Sequence, residues 1–207
     1  MRKFLFCLFF CGLMTSGAGA DESSSAPGFE IESTASGGAQ YLINKINNEN
    51  KTEINIAFLG GSITQGVGAS HPSRAYSRQC VRFLNKAMED KGLKFKGKIA
   101  AVGGTDSFYG VFRMSAQLDL KNTDILVVEF AVNDFSGRSL TSAGDAMEGI
   151  VRQARKNNPD MMIVFLYTTN RKMLTNCYDK KVLPESIRAH HKVAEHYSVA
   201  EVHSGPD

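Results

Sequence analysis

The chain has 207 residues, 43% of them hydrophobic and 22% charged, with 24 Lys plus Arg against 21 Asp plus Glu. Arg2 and Lys3 supply two of those cations at the N-terminus, so the remainder is close to neutral, and no basic stripe interleaved with aromatics argues for a nucleic-acid partner. The length suits one domain with one core, and four cysteines without a C-x-x-C or H-E-x-x-H spacing give no metal-site pattern.

Arg2 and Lys3, the apolar stretch Phe4 to Met14 and the small residues Ala18-Gly19-Ala20 form the three regions of a secretory signal peptide, with cleavage expected after Ala20. The product is then secreted, or periplasmic in a bacterial host. An uncleaved anchor is the alternative, but the apolar run falls short of the roughly 20 residues a span needs, so no stable membrane span is expected once the signal is removed. Residues 21–39 are rich in Ser, Gly and Ala and read as a flexible leader, with the folded domain over 40–207. Asn50-Lys51-Thr52 is an acceptor sequon for N-glycosylation. Outside the signal only Cys80 and Cys177 remain. They can form a disulfide, or Cys80, on the apolar face of a helix, can be plain core.

From Ile54 the pattern alternates. Apolar runs predict strands at Ile54–Leu59, Lys98–Val102, Ile125–Ala131, Met161–Thr168 and Ser198–Val202. Between them Tyr76, Cys80, Phe83, Leu84, Ala87 and Met88, then Met147, Ile150, Val151 and Ala154, recur at helical spacing. A short helical pattern at Phe108, Val111, Phe112 and Ser115 follows the second Gly-rich turn, and a last helix begins near Pro184, with Ile187, His191 and Ala194 on one side. Strand and helix in alternation predict an α/β fold, a parallel sheet covered on both faces, whose ligand crevice lies at the C-terminal strand ends. Three chemistry-bearing segments fall there: Gly60-Gly61-Ser62-Ile63-Thr64, Val102-Gly103-Gly104-Thr105, and Val132-Asn133-Asp134 at the end of the third strand.

Each segment alone has a plainer reading: Ser62 as a helix cap, Gly103-Gly104 as a tight turn, Asn133-Asp134 as a cap or turn, with Arg113 and Glu129 structural or solvated. Gly61 to Gly66 imitates the start of a P-loop, but Val67 and Gly68 stand where Lys and Ser/Thr are required. Thr64 likewise replaces the second glycine of G-x-S-x-G. Taken together with Gly110, Phe112-Arg113 and Val128-Glu129-Phe130-Ala131, the three segments resemble the first three sequence blocks of the SGNH (GDSL-type) hydrolases, in the branch with Gly-Gly-Ser-Ile-Thr around the serine. The resemblance runs from about Ile54 to Val202. It implies a three-layer α/β/α flavodoxin-like fold with a mostly parallel five-stranded sheet. It also implies cofactor-free esterase or lipase chemistry on small-molecule acyl or acetyl esters, often of carbohydrates. By position Ser62 matches the nucleophile, Gly104 the backbone oxyanion donor and Asn133 the side-chain oxyanion donor.

The family's Asp-x-x-His block, which supplies base and orienter before a final helix, has no match after the fifth strand, where only His203-Ser204-Gly205-Pro206-Asp207 follow. The domain is therefore expected to be C-terminally incomplete, to lack the final helix and to leave an apolar patch on the fifth strand. His203 is the best-placed substitute base, while His71, His190, His191 and His196 read as surface or partly buried residues. Two further readings stand beside a crippled secreted esterase: a non-catalytic secreted ligand-binding module derived from such a hydrolase, and a nucleotide-binding flavodoxin-like protein.

Overall fold

The computed structural model describes residues 37–48, 51–137 and 139–204; the expected signal sequence, most of the expected leader and Asn50 of the sequon lie outside them. Five apolar runs pair into one parallel sheet: β1 (Glu53–Gly60), β2 (Lys94–Ala101), β3 (Ile125–Glu129), β4 (Met162–Tyr167) and β5 (Ala200–His203). Their order, β2-β1-β3-β4-β5, is the flavodoxin-like arrangement, in which the chain reverses its direction of travel across the sheet between β1 and β3. Phe58 lies between Ile99 and Val127, and Tyr167 pairs with His203. The central strands β3 and β4 are buried throughout, as strands covered on both faces must be. The edge strand β2 instead exposes Lys94, Lys96 and Lys98, charges that discourage pairing with another chain.

Alternate strand residues feed two cores. Ala57, Leu59, Val128, Phe165 and Tyr167 meet α4 (Ser107–Gln117), α6 (Leu140–Asn157) and α8 (Glu185–Tyr197) on one face. Ile54, Ile56, Phe58, Val127, Val164 and Leu166 meet α1 (Gly37–Asn48) and α3 (Tyr76–Ala87) on the other. Three shorter helices, α2 (Ser62–Gln65), α5 (Ala131–Gly137) and α7 (Arg171–Asn176), follow β1, β3 and β4 directly. On α6 the buried residues Ala143, Ala146, Met147, Ile150, Val151 and Ala154 form a continuous stripe. Among the described residues no helix is long and apolar enough to cross a membrane.

Several sequence expectations shift. The second strand begins at Lys94, not Lys98, because its first half is a lysine-rich edge that carries no apolar signal. The third strand stops at Glu129, so Asn133 sits in the first turn of α5 and not at a strand end. The fifth runs Ala200–His203, since Ser198, at φ 50°, closes α8 in the left-handed conformation. The expected bare patch on β5 is absent: Ala200 and Val202 are buried in one cluster with Ala39 and Leu42 of α1. That helix starts at Gly37, inside the stretch read as leader, and Ala39, Leu42 and Ile46 carry its helical spacing. No disulfide joins the two cysteines: Cys80 is buried on the inner face of α3, and half-buried Cys177 follows α7.

Candidate active site

The first turn is fixed by two glycines. A Cβ on Gly60 would lie 2.1 Å from Thr64 Oγ1 and 2.8 Å from the carbonyl of Glu129, and one on Gly61 would lie 2.4 Å from Asn133 Oδ1. Only hydrogen at these positions lets α2 fold back over β1 and lets the Asn133 side chain rest on the backbone beside the serine. Gly61 occupies the cap position of α2, and no side chain caps the helix, so the capping role does not describe Ser62. Ser62 opens α2 half-buried, and its hydroxyl makes no hydrogen bond to another described residue.

The second turn packs against the first. Thr105 N–H donates to the Val102 carbonyl at 3.3 Å, and Gly104 takes φ +76°, the value a type II turn demands at its third residue. Gly103 N–H donates to Gln65 Oε1 at 3.0 Å, and a Cβ on Gly103 would stand 3.8 Å from Ser62 Cβ. A Cβ on Gly104 would meet nothing within 4 Å, so this peptide borders open space. Ser62, the Gly103-Gly104 turn and Asn133 therefore converge where β1 and β3 part. Asn133 Oδ1 is buried without a hydrogen-bond partner, an unusual state for a buried amide.

Buried polar groups hold these pieces in place. Ser107 N–H, at the start of α4, donates to Asp134 Oδ1 at 3.0 Å, and His190 Nε2–H donates to Asp134 Oδ2 at 2.7 Å. Asp134 thus ties Asn133 to α4 and α8. Arg113 donates to the carbonyls of Gly60 and Ala100, each at 2.8 Å, joining the ends of β1 and β2. Glu129, fully buried, accepts hydroxyl bonds from Thr64 and Thr168. The sequence reads His190 as a surface or partly buried residue, yet its side chain is 1% exposed. The spacing Ile187, His190, Ala194 would have put it on the inner face of α8.

The histidines lie elsewhere. His203 ends β5, its ring 4.7 Å from that of Tyr167. Two strands separate β5 from β1, so at roughly 4.8 Å per strand the two strand ends are about 14 Å apart. Its Nε2 is buried without a partner, and burial, with His191 adding a smaller push, lowers the imidazole to about 4. His191 Nδ1 is 2.9 Å from Glu201 Oε2, His196 packs on Tyr197, and His71 accepts from Ser73 N–H. None of the five is hydrogen-bonded to Ser62.

Residues 58–203 match the model of the GDSL-like lipase/acylhydrolase family. No curated protein sequence matches the chain. Among solved structures, a two-domain esterase (CEX) active on acetylated mannans is 27% identical with a TM-score of 0.64, covering 80% of this chain and 40% of its own. The chain therefore spans less than half the length of that esterase. AlinE4, an SGNH-hydrolase family esterase, is 21% identical with a TM-score of 0.57 over 73% of this chain and 76% of its own. TesA gives 20%, 0.57, 71% and 76%; these two likenesses show the fold. With the family model spanning the sheet from β1 to β5, the chain belongs to the GDSL-like lipase/acylhydrolase family.

Proposed function

We propose that this protein is a secreted serine ester hydrolase that cleaves small acyl or acetyl esters, carbohydrate esters among them. The observation that carries the reading is the convergence of Ser62, the Gly103-Gly104 turn and Asn133 at the point where β1 and β3 diverge. Ser62 Oγ attacks the acyl carbonyl. The developing oxyanion is met by the backbone N–H groups of Ser62 and Gly104 and by the Asn133 amide, which enters the hole from across Gly61. The C–O bond to the alcohol breaks, the alcohol leaves with a proton, and water releases the acid from the acyl-serine. Export is supported by the basic, apolar and small-residue regions of the first 20 residues, and the acetylated-mannan esterase supports a carbohydrate ester as substrate.

The mechanism needs a general base, and His203 is the one histidine at the C-terminal end of a strand; to serve, its ring must leave Tyr167. That requirement favours one rival, a secreted module that binds an ester without turning it over. Hydrolysis of p-nitrophenyl acetate by the purified chain beside its Ser62→Ala variant decides. Loss of turnover in the variant is the expected result; equal rates in the two proteins would leave the binding module.

A further inference from the structure

We infer that Glu129 is a positioning residue for the nucleophile, acting through the Thr64 hydroxyl to hold the Ser62 turn in place. The inference rests on the esterase reading for what the turn does, but not for how it is held. A single turn such as α2 has no stability of its own, because helix nucleation is unfavourable. Its flanks add no stiffness: Gly60 and Gly61 precede it, and Gly66 at φ +112° closes it. Something outside the turn must fix it, and the one fully buried residue in α2 is Thr64.

Thr64 is gripped from three sides. Its Oγ1 donates to Glu129 Oε2 at 2.9 Å and lies 2.8 Å from Tyr76 Oη, while its carbonyl accepts from Ser77 Oγ at 3.2 Å. The other carboxylate oxygen, Oε1, accepts from Thr168 Oγ1 at 2.6 Å. A hydroxyl has one proton to give. Thr64 gives it to Glu129, so Tyr76 donates to Thr64, and the protons run in one direction and end on the carboxylate. An ionised acid, acceptor only, completes this chain with no proton left over. A glutamine at 129 presents an amide where an acceptor is needed, and one of the two threonine protons loses its partner.

Burying a carboxyl opposes its charge, and burial is the main reason this one is pushed above the ordinary carboxylate range, with Asp134 adding to it and the two threonines pulling back. A packing role would be met more cheaply by an apolar side chain. What an apolar residue cannot do is link Thr64 Oγ1 of α2 to β3 and, through its second oxygen, to Thr168 in the segment after β4. Ser62 and Thr64 share that turn, so a displacement at Thr64 is transmitted to the nucleophile, where misplacement by about 1 Å costs about 100-fold in rate.

The test compares Glu129→Gln, Thr64→Val and Thr64→Ser by steady-state hydrolysis of p-nitrophenyl acetate and by residue-resolved hydrogen exchange. The readout amides are Gly66 and Val67, which donate to the Ser62 carbonyl at 3.0 and 2.9 Å. The expected result for Glu129→Gln and Thr64→Val is a kcat reduced about 10- to 100-fold with KM nearly unchanged. Exchange at Gly66 and Val67 rises at least about tenfold while the amides of β3 and β4 keep their protection, and Thr64→Ser restores both readouts. Unchanged exchange at Gly66 and Val67, or protection lost equally across β3 and β4, overturns the inference. Absence of Ser62-dependent hydrolysis in the unmodified chain would instead remove the esterase reading and leave the exchange comparison to decide what holds the turn.

Discussion

The C-terminal rim of the sheet has two unlike halves. Around β1, β2 and β3, the turns approach one another so closely that a Cβ at 60 would press on the Glu129 carbonyl and one at 61 on the Asn133 side chain, and the polar side chains behind them converge on α2, α4 and α5. Around β4 and β5, Thr168 apart, which donates to Glu129, the polar side chains bond to each other instead: Glu201 accepts from Tyr167 Oη and pairs with His191, and His203 lies edge-on to Tyr167. The first half has the Asn133 amide oxygen set on Gly61 and open space in front of the second turn. The second half is closed on itself. The residues proposed as nucleophile and oxyanion donors are thus held by backbone sterics, whereas His203 on β5, the proposed base, is packed against Tyr167.

The largest effect on stability is expected where the first half is anchored. His190→Ala leaves the Asp134 carboxyl with Ser107 N–H as its remaining partner inside the core, and losing one member of a buried polar pair costs about 3–5 kcal/mol. Thermal unfolding should fall by about 10 °C for a chain of this size. A fall under about 3 °C would mean that Asp134 is held adequately by α4 alone.

Gly61→Ala asks whether that half serves chemistry or only folding. The new methyl meets Asn133 Oδ1, the end of a side chain that can swing away. Unfolding should therefore change little, while loss of one oxyanion donor removes about 10²–10³ in kcat. Equal damage to stability and rate would place Asn133 among the structural residues.

The contrast between the halves also explains what was legible from residues alone. Strand and helix alternation is a periodic signal, and it located all five strands and the parallel sheet. The turns that carry Ser62 and Gly104 are legible because they demand unusual residues. Asn133 reads as a strand-end residue but lies in a helix, since Ala131 and Val132 continue an apolar run that reads as strand while the chain has already turned into α5. The roles of Glu129 and His190 were not legible. A buried carboxyl or imidazole differs from a solvated one only in what surrounds it, and their partners lie 39 and 56 residues away in sequence, at Thr168 and Asp134. The covering of β5 by α1 was missed for the same reason: contact between the two ends of the described chain leaves no local pattern.

The smallest effect tests whether the second half is as closed as its contacts make it. The His203 imidazole, at about 4 in the folded protein, lies below the 6.5 of an unfolded histidine, so the unfolded chain takes up this proton first. Its contribution to stability is complete above pH 6.5 and is lost as pH falls from there toward 4. A shift of that size corresponds to about 3 kcal/mol at most, and solvent around a partly exposed ring reduces it to about 1–2 kcal/mol. The groups facing the ring, His191, Glu201 and Tyr167, are all retained in a His203→Phe variant that keeps an aromatic ring against Tyr167. Between pH 7.5 and 5, the unmodified protein should therefore lose about 2–6 °C more in its unfolding temperature than this variant. Equal losses would mean that the ring is already solvated and mobile. If Ser62-dependent hydrolysis vanished in the same variant, His203 would be the base, and the second half would be a closed position from which the imidazole swings toward the first.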